Sequence, residues 1–169
     1  MSSEQTDAAT VARSYFDAVA RRDVEAMAAH WEPGAPDLIH GVVEMRGADD
    51  LRAWFGNLFA AFPDFRFEVL EVIATGEKAA VRWHATGTFD GSARFEGLVP
   101  NGAGVDLEGC DVLCVRGGLI QRNDAYMNGA EMARQLGALP PSGSLPERAM
   151  TGALNLKTRA LGWVAGRRG

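Results

Sequence analysis

The chain has 169 residues, of which 47% are hydrophobic and 23% charged, and its formal net charge is −5. This length suffices for one domain with a modest extension but not for two full domains. The acidic balance argues against a nucleic-acid-binding protein, because phosphate binding requires clustered lysine and arginine. No apolar run approaches the ~18–20 residues that span a bilayer, and the polar, acidic N-terminus does not resemble a signal peptide. We therefore expect a cytoplasmic protein.

The N-terminal part of the chain has the pattern of three helices separated by short breaks. Thr6 or Asp7 can cap the first helix and Asp23 the second, because such side chains accept hydrogen bonds from free N–H groups at a helix start. A short strand is expected over 37–43. The third helix is expected over 48–62, where apolar residues recur with helical spacing. These apolar residues are Leu51, Trp54, Phe55, Leu58, Phe59 and Phe62.

From residue 65 the hydrophobic period changes to that of β-strands. Polar or glycine-rich turns separate the expected strands, which cover 65–73, 78–89, 103–116 and 119–127. A short helix over 129–139 follows. Helices followed by antiparallel strands predict an α+β domain, with the helices on one face of a curved sheet.

The C-terminal segment differs in composition from the rest of the chain. Residues 140–144 indicate a linker, so we divide the chain into a domain over 1–139 and a tail over 140–169. The tail holds five basic residues and one acidic residue, which gives it +4 against −9 for the domain. Leu154, Leu156, Leu161, Trp163 and Val164 permit an amphipathic helix. We expect it to pack on its own domain or on a partner subunit; contact with a membrane surface and disorder are the alternatives.

Candidate site residues are polar side chains on strand faces that would otherwise be apolar. Successive side chains of a strand point to opposite faces. In the second long strand, Arg82, His84 and Thr86 therefore share one face, and Val81 and Trp83 share the other. We expect the polar face to line a pocket.

Two aspartates stand out on the last two strands. Asp111 shares a face with Leu113, and Asp124 shares a face with Arg122 and Tyr126. A carboxyl group flanked by apolar residues can be buried, which raises its pKa. Such a group can donate a hydrogen bond to a developing oxyanion or act as a general acid/base near neutral pH. A structural carboxylate in a salt bridge is the alternative for each.

Six short motifs in a fixed order carry a family resemblance. They are YFDAV at 15–19, RG at 46–47, AFPD at 61–64, VRW at 81–83, TGT at 86–88 and ARQLG at 133–137. Together they resemble the nuclear transport factor 2-like superfamily, and within it the SnoaL-like polyketide cyclases and the ester cyclases, over roughly residues 7–139. The resemblance implies a cone-shaped α+β barrel with a curved, mostly antiparallel sheet. It also implies a homodimer through the outer sheet face, where we expect Val81 and Trp83 to be exposed.

The resemblance to ketosteroid isomerases concerns three positions. Those enzymes place a tyrosine of the first helix and a strand aspartate as an oxyanion hole, with an aspartate base at the end of the first strand. Tyr15 and Asp111 fall at the first two positions. His40 falls at the third, and a histidine can also move a proton, since its ordinary pKa is ~6.5.

Two further enzyme patterns involve the last strand. SnoaL-like cyclases resemble this chain in an aspartate of that strand, which acts as acid/base in an aldol closure; Asp124 is at that position. Limonene epoxide hydrolases join this aspartate to an Arg-x-Asp on an earlier strand. Here Arg82 and His84 occupy that motif, and the histidine removes one carboxylate.

The function expected from these residues is acid/base catalysis on an apolar ketone or polyketide-like substrate. Asp124 would be the general acid/base, His40 or His84 a second proton carrier, and Tyr15 and Asp111 the groups that stabilise an enolate. Neither a metal ion nor an organic cofactor is implied. The residues expected to bind substrate are Trp54, Phe59, Arg82, Tyr126 and Arg122.

The alternative is a non-catalytic domain that binds a hydrophobic molecule or another protein. In an enzyme we expect Asp124 and one histidine to face an open cavity. In a binding domain we expect these polar groups to saturate one another.

Overall fold

The computed structural model describes residues 7–165, and side chains only through residue 161. Thr6, Trp163 and Val164, which the sequence analysis singled out, lie outside the described residues or side chains. The helices are α1 (Ala8–Ala20), α2 (Val24–Ala28), α3 (Gly47–Ala61), α4 (Gly129–Gln135) and α5 (Leu145–Ala165). The strands are β1 (Pro36–Ile39), β2 (Val43–Arg46), β3 (Arg66–Thr75), β4 (Lys78–Phe89), β5 (Ala103–Arg116) and β6 (Leu119–Met127).

The first two helices begin at aspartates whose side chains cap them. Asp7 Oδ1 accepts a hydrogen bond from the backbone N–H of Thr10 at 2.7 Å. Asp23 Oδ1 accepts one from the backbone N–H of Ala26 at 3.0 Å. Each carboxylate thereby satisfies an N–H group that has no partner inside the helix.

The six strands form one mixed sheet in the order β2-β1-β6-β5-β4-β3. Every neighbouring pair is antiparallel except β1 and β6, which are parallel. The mixed α+β architecture confirms the fold class. The single strand expected over 37–43 is instead a hairpin of β1 and β2, which turns at Gly41 with φ +80°. Glycine adopts this left-handed conformation readily.

The core lies between the concave face of the sheet and helices α1 to α3. Val81 and Trp83 of β4 point into it and are only 0% and 8% exposed. The expectation that these two residues lie on the exposed side of the sheet is therefore wrong. Arg82 and His84 instead point outward, where ion pairs with neighbouring strands keep their charged or polar ends in contact with water.

A β-bulge in β6 decides which of its residues face the core. Ile120 pairs with Val115 and Arg122 with Cys114, so Gln121 is an extra residue on this strand. One extra residue shifts the in–out alternation by one position. Ile120 and Asn123 consequently both face the core, with exposed fractions of 0% and 2%.

Helix α5 leaves the domain and presents its described side chains to solvent. Its apolar residues include Leu154, Leu156 and Leu161, all more than half exposed. An ion pair of 3.2 Å between Arg134 and Glu147 links its first turn to α4. Within residues 7–165, none of the helices is long and apolar enough to cross a membrane.

Candidate functional site

A cavity of about 110 Å³ lies between the helices and the concave face of the sheet. A single water needs about 10–15 Å³ by the same kind of measure, so the space exceeds that of several waters. Its wall is largely apolar, with aliphatic side chains and with aromatic rings from helices, strands and the loop before β5. These rings include Phe16, Trp54, Phe55, Phe62, Phe67 and Phe95.

Two carboxyl groups and an amide also line the cavity. Asn123 donates hydrogen bonds from Nδ2 to Asp37 Oδ1 at 3.0 Å and to Asp111 Oδ2 at 2.6 Å. Trp83 Nε1 donates to Asp111 Oδ1 at 2.7 Å. The amide of Asn123 therefore bridges a carboxyl from β1 and a carboxyl from β5.

Burial changes the protonation of this carboxyl pair. Removal from water raises the pKa of Asp37 to about 7, and the negative charge of Asp111 adds to that rise. Removal from water also raises the pKa of Asp111 to about 6, against the hydrogen bonds from Trp83 and Asn123 that lower it. Both carboxyl groups therefore exchange protons close to neutral pH, the range in which general acid/base catalysis works well.

The hydroxyl of Tyr15 belongs to the same cavity. The residue is 1% exposed, and burial followed by the charges of Asp37 and Asp111 raises the pKa of its hydroxyl well above the ordinary value. The indole N–H of Trp31 lies near enough to lower that pKa slightly, although it makes no hydrogen bond of normal geometry. Tyr15 is therefore neutral and able to donate a hydrogen bond.

The sequence-predicted acid/base residue Asp124 lies on the opposite face of the sheet. Arg122 Nε and Nη2 donate to its two carboxylate oxygens at 2.6 and 2.7 Å, and His40 Nε2 lies 2.8 Å from Oδ1. The Arg122 hydrogen bonds, followed by that of His40, lower the pKa of Asp124 to about 2. Tyr126 stacks on the His40 ring, with centroids 4.5 Å apart. Arg122 and His40 therefore bind both carboxylate oxygens of Asp124 outside the cavity.

The other predicted polar residues also lie on the outer face. His84 Nε2 is 2.7 Å from Asp106 Oδ1. Arg82 lies 3.5 Å from Glu108 and 3.8 Å from Glu71. The structure therefore brings neither of them to the cavity.

Of the three aromatic residues expected to bind substrate, Tyr126 lies on the outer face and Trp54 lines the cavity directly. Phe59 stands behind it, with its ring packed against Phe55 at 5.9 Å and against Phe65 at 5.5 Å between centroids. Within residues 7–165, no group of three or more His, Cys, Asp or Glu side chains is arranged to hold a metal ion.

The sequence and fold of this chain are similar to those of known proteins. The family profile of the SnoaL-like domain matches residues 12–123, about two thirds of the chain. The chain belongs to the SnoaL-like family. No curated protein sequence matches this SnoaL-like chain.

Solved structures share the fold of this SnoaL-like protein. A candidate SnoaL-like polyketide cyclase from Jannaschia sp. CCS1 is 22% identical with a TM-score of 0.71, covering 83% of this chain and 98% of its own. AclR from Streptomyces galilaeus, a candidate hydroxylase, is 23% identical with a TM-score of 0.66, covering 89% and 91%. IdmH from Streptomyces antibioticus, a candidate polyketide cyclase, is 24% identical with a TM-score of 0.62, covering 75% and 96%.

Sequence reasoning missed Asp37 and Asn123 in this SnoaL-like site. Asp37 lies in a strand of four residues, which is too short for alternation to assign a face. Asn123 was missed because the β-bulge at Gln121 shifts the in–out alternation of β6, so the sequence pattern did not predict that Asn123 faces the core. The position of Asp37 between Pro36 and Leu38 was the one available signal, because a charged residue in a short apolar strand needs a partner.

Proposed function

We propose that this SnoaL-like protein is a cofactor-independent acid/base enzyme that forms an enolate from an apolar ketone or polyketide-like substrate. The enolate then proceeds to aldol closure or to isomerisation. One observation carries the proposal: two buried carboxyl groups and a buried tyrosine hydroxyl line a cavity whose wall is otherwise mostly apolar. Such an arrangement combines proton exchange near neutral pH with exclusion of water.

Asp37 is the group that exchanges the proton. Asn123 donates to its Oδ1, and no side chain in the described part of the chain donates to its Oδ2. With a pKa of about 7, the carboxyl exists in both ionised and protonated forms near neutral pH. The ionised form takes a proton from the carbon next to the substrate carbonyl. The protonated form returns that proton to carbon or to oxygen.

Tyr15 stabilises the enolate oxygen. Its hydroxyl stays neutral because burial and the two nearby carboxyl groups oppose ionisation. A neutral donor in a site of low dielectric stabilises developing negative charge strongly. This division of roles resembles that of the ketosteroid isomerases, with Asp37 rather than His40 as the base on the first strand.

The aromatic wall supports an apolar, flat substrate. Rings of α1, α3 and β3 line the cavity, and its charged or polar side chains are the carboxyl pair, Asn123 and Tyr15, with the indole N–H groups of Trp54 and Trp83 in the wall. Two structures of similar fold are candidate polyketide cyclases, which agrees with a substrate of this class. The outward position of Asp124 gives no support to activation of water by that residue, so epoxide hydrolysis is not favoured.

One observation favours the non-catalytic alternative. Asp124, Arg122 and His40 saturate one another, as expected for a domain that only binds. The carboxyl pair inside the cavity outweighs this observation, because a ligand-storing cavity has no need of two groups that are costly to bury.

Deuterium exchange tests the proposal. We expect the wild-type protein in D₂O to exchange the protons next to the carbonyl of propiophenone or acetylnaphthalene, as measured by NMR. We expect Asp37→Asn to bind the ketone, with quenching of tryptophan fluorescence, but to exchange about 10²–10⁴-fold more slowly. Binding of both ketones by the wild type without exchange would establish the binding domain instead.

A further inference from the structure

Trp83 makes a contact that the proposed reaction does not yet use. Its indole is 8% exposed and directs Nε1 to Asp111 Oδ1 at 2.7 Å. The ring lies over Gly109, its cross-strand partner in β5. A Cβ atom at Gly109 would stand 2.2 Å from Trp83 Cζ2 and 2.6 Å from Cη2. The absence of a side chain at this position therefore lets the indole lie flat on β5 and reach Asp111.

The hydrogen bonds to the two carboxyl groups are unequal. Asp111 accepts one N–H at each oxygen, from Trp83 at 2.7 Å and from Asn123 at 2.6 Å. Asp37 accepts a single, longer bond of 3.0 Å from Asn123. An N–H donor stabilises the ionised form of a carboxyl group. The negative charge of the pair is therefore more stable on Asp111 than on Asp37.

We infer that Trp83 is a positioning residue that holds the negative charge on Asp111 and thereby leaves the exchangeable proton on Asp37. The inference rests on the proposed function. Without the indole N–H, the ionised carboxylate of Asp111 accepts one hydrogen bond instead of two. Asp111 is then protonated more readily, and the proton shared by the pair shifts from Asp37 toward Asp111. Asp37 then faces a neutral neighbour and ionises more readily.

Of the other titratable groups near the pair, Asp124 adds to this asymmetry, whereas Tyr15, His30 and Cys110 do not. Tyr15 on α1 is neutral at the pH values of interest, and His30 touches its ring edge at 6.0 Å between centroids. Asp124 on β6 is ionised and raises the pKa of Asp37 through the sheet. Cys110 on β5 has a pKa raised by burial and by Asp111, so it stays a thiol.

Carbon NMR of ¹³C-labelled aspartate tests the inference on the full chain. In the wild type we expect Asp111 to ionise at lower pH than Asp37. In Trp83→Phe we expect the midpoint of Asp111 to rise and that of Asp37 to fall, each by about one to two pH units, the size of a hydrogen bond to a charged group. The pH profile of ketone exchange should then move to lower pH. Trp54→Phe, which removes a cavity indole that does not bond to a carboxyl group, should leave both midpoints unchanged.

A second measurement needs no variant. The ¹H and ¹⁵N shifts of the Trp83 indole N–H should follow the ionisation of Asp111, while those of Trp54 stay constant. Unchanged midpoints in Trp83→Phe, or a Trp83 signal that does not titrate, would overturn the role of Trp83 alone. Wild-type midpoints below pH 5 for both carboxyl groups would overturn the proposed function as well.

Discussion

At the scale of single residues, the carboxyl pair of Asp37 and Asp111 affects stability as well as chemistry. Both groups have a pKa in the folded protein, about 7 and about 6, above the ordinary 3.8. The folded state therefore binds their protons more tightly than the unfolded state does. Their favourable contribution is fully present below about pH 4 and is lost as the pH rises through 6 and 7. Asp124, with a pKa of about 2, has the opposite effect at lower pH, because its contribution is lost as the pH falls toward 2.

Thermal unfolding should show this dependence. We expect the Tm of the wild type to fall between pH 5 and pH 8, and the fall to be shallower in Asp37→Asn, which has no proton to lose at that position. Each pKa unit corresponds to about 1.4 kcal/mol, and about 2–4 °C of Tm accompanies each kcal/mol in a chain of this size. Differential scanning calorimetry at several pH values measures the slope of Tm against pH for the wild type and for Asp37→Asn. Parallel slopes for the two proteins would show that Asp37 does not hold a proton at pH 5.

Residue chemistry was partly predictable from the sequence. The resemblance to ketosteroid isomerases singled out Tyr15, and alternation along β5 placed Asp111 on the face of buried Leu113. Tyr15 and Asp111 both line the cavity. Asp37 was not predicted because a strand of four residues is too short for alternation to assign its side chains to a face. Asp124 was singled out by the resemblance to the SnoaL-like cyclases, but it shares the outer face of β6 with Arg122 and exposed Tyr126.

At the scale of elements, the sequence pattern did not show which faces of β4 and β6 point to the core. The polar face of β4, with Arg82 and His84, looked like a pocket lining but points to solvent, since Val81 and Trp83 supply the core. In β6 the bulge at Gln121 reverses the alternation. Periodicity therefore gave the strand bounds closely but not the direction of each face. Only pairing with neighbouring strands fixes that direction.

The close approach of β4 and β5 at Gly109 provides a test at this scale. In Gly109→Ala, the new Cβ must displace the Trp83 indole, so we expect a loss of about 1–3 kcal/mol in the free energy of unfolding and a changed tryptophan emission spectrum. Gly104→Ala is the matched control on the same strand, because nothing lies within 4 Å of its Cβ position. Urea unfolding should show a change within about 0.5 kcal/mol for it. Equal stability of the two variants would mean that Trp83 does not pack on Gly109.

At the scale of the whole molecule, the role of the C-terminal tail, residues 140–169, does not follow from the structure of the domain. The sequence predicted an amphipathic helix, and α5 covers Leu145–Ala165. Its described apolar side chains remain exposed rather than packed on their own domain. The division at residue 139 and the homodimer both stay predictions. With Val81 and Trp83 in the core, these two residues no longer support the expected dimer contact.

Removal of residues 140–169 tests the boundary. We expect the shortened chain to remain folded with a Tm within a few degrees of the full chain, since the deletion removes one ion pair between Arg134 and Glu147 and little buried surface. A chain ending at residue 128 is the control: it also loses Leu136, which is 2% exposed, and should be much less stable. Native mass spectrometry of the full and shortened chains tests the dimer. Cooperative unfolding of the 1–139 chain at a much lower temperature would place the tail in the core.

In the proposed mechanism, the proton is exchanged by Asp37, the inward carboxyl of β1, and not by Asp124, the outward carboxyl of β6. Deuterium exchange of a bound ketone, measured side by side for wild type, Asp37→Asn and Asp124→Asn, tests it most directly. We expect Asp37→Asn to lose exchange and Asp124→Asn to retain nearly all of it, because the Asp124 side chain lies beside Arg122 and His40 outside the cavity. Exchange that persists in Asp37→Asn but disappears in Asp124→Asn would contradict the account and return the acid/base role to the last strand.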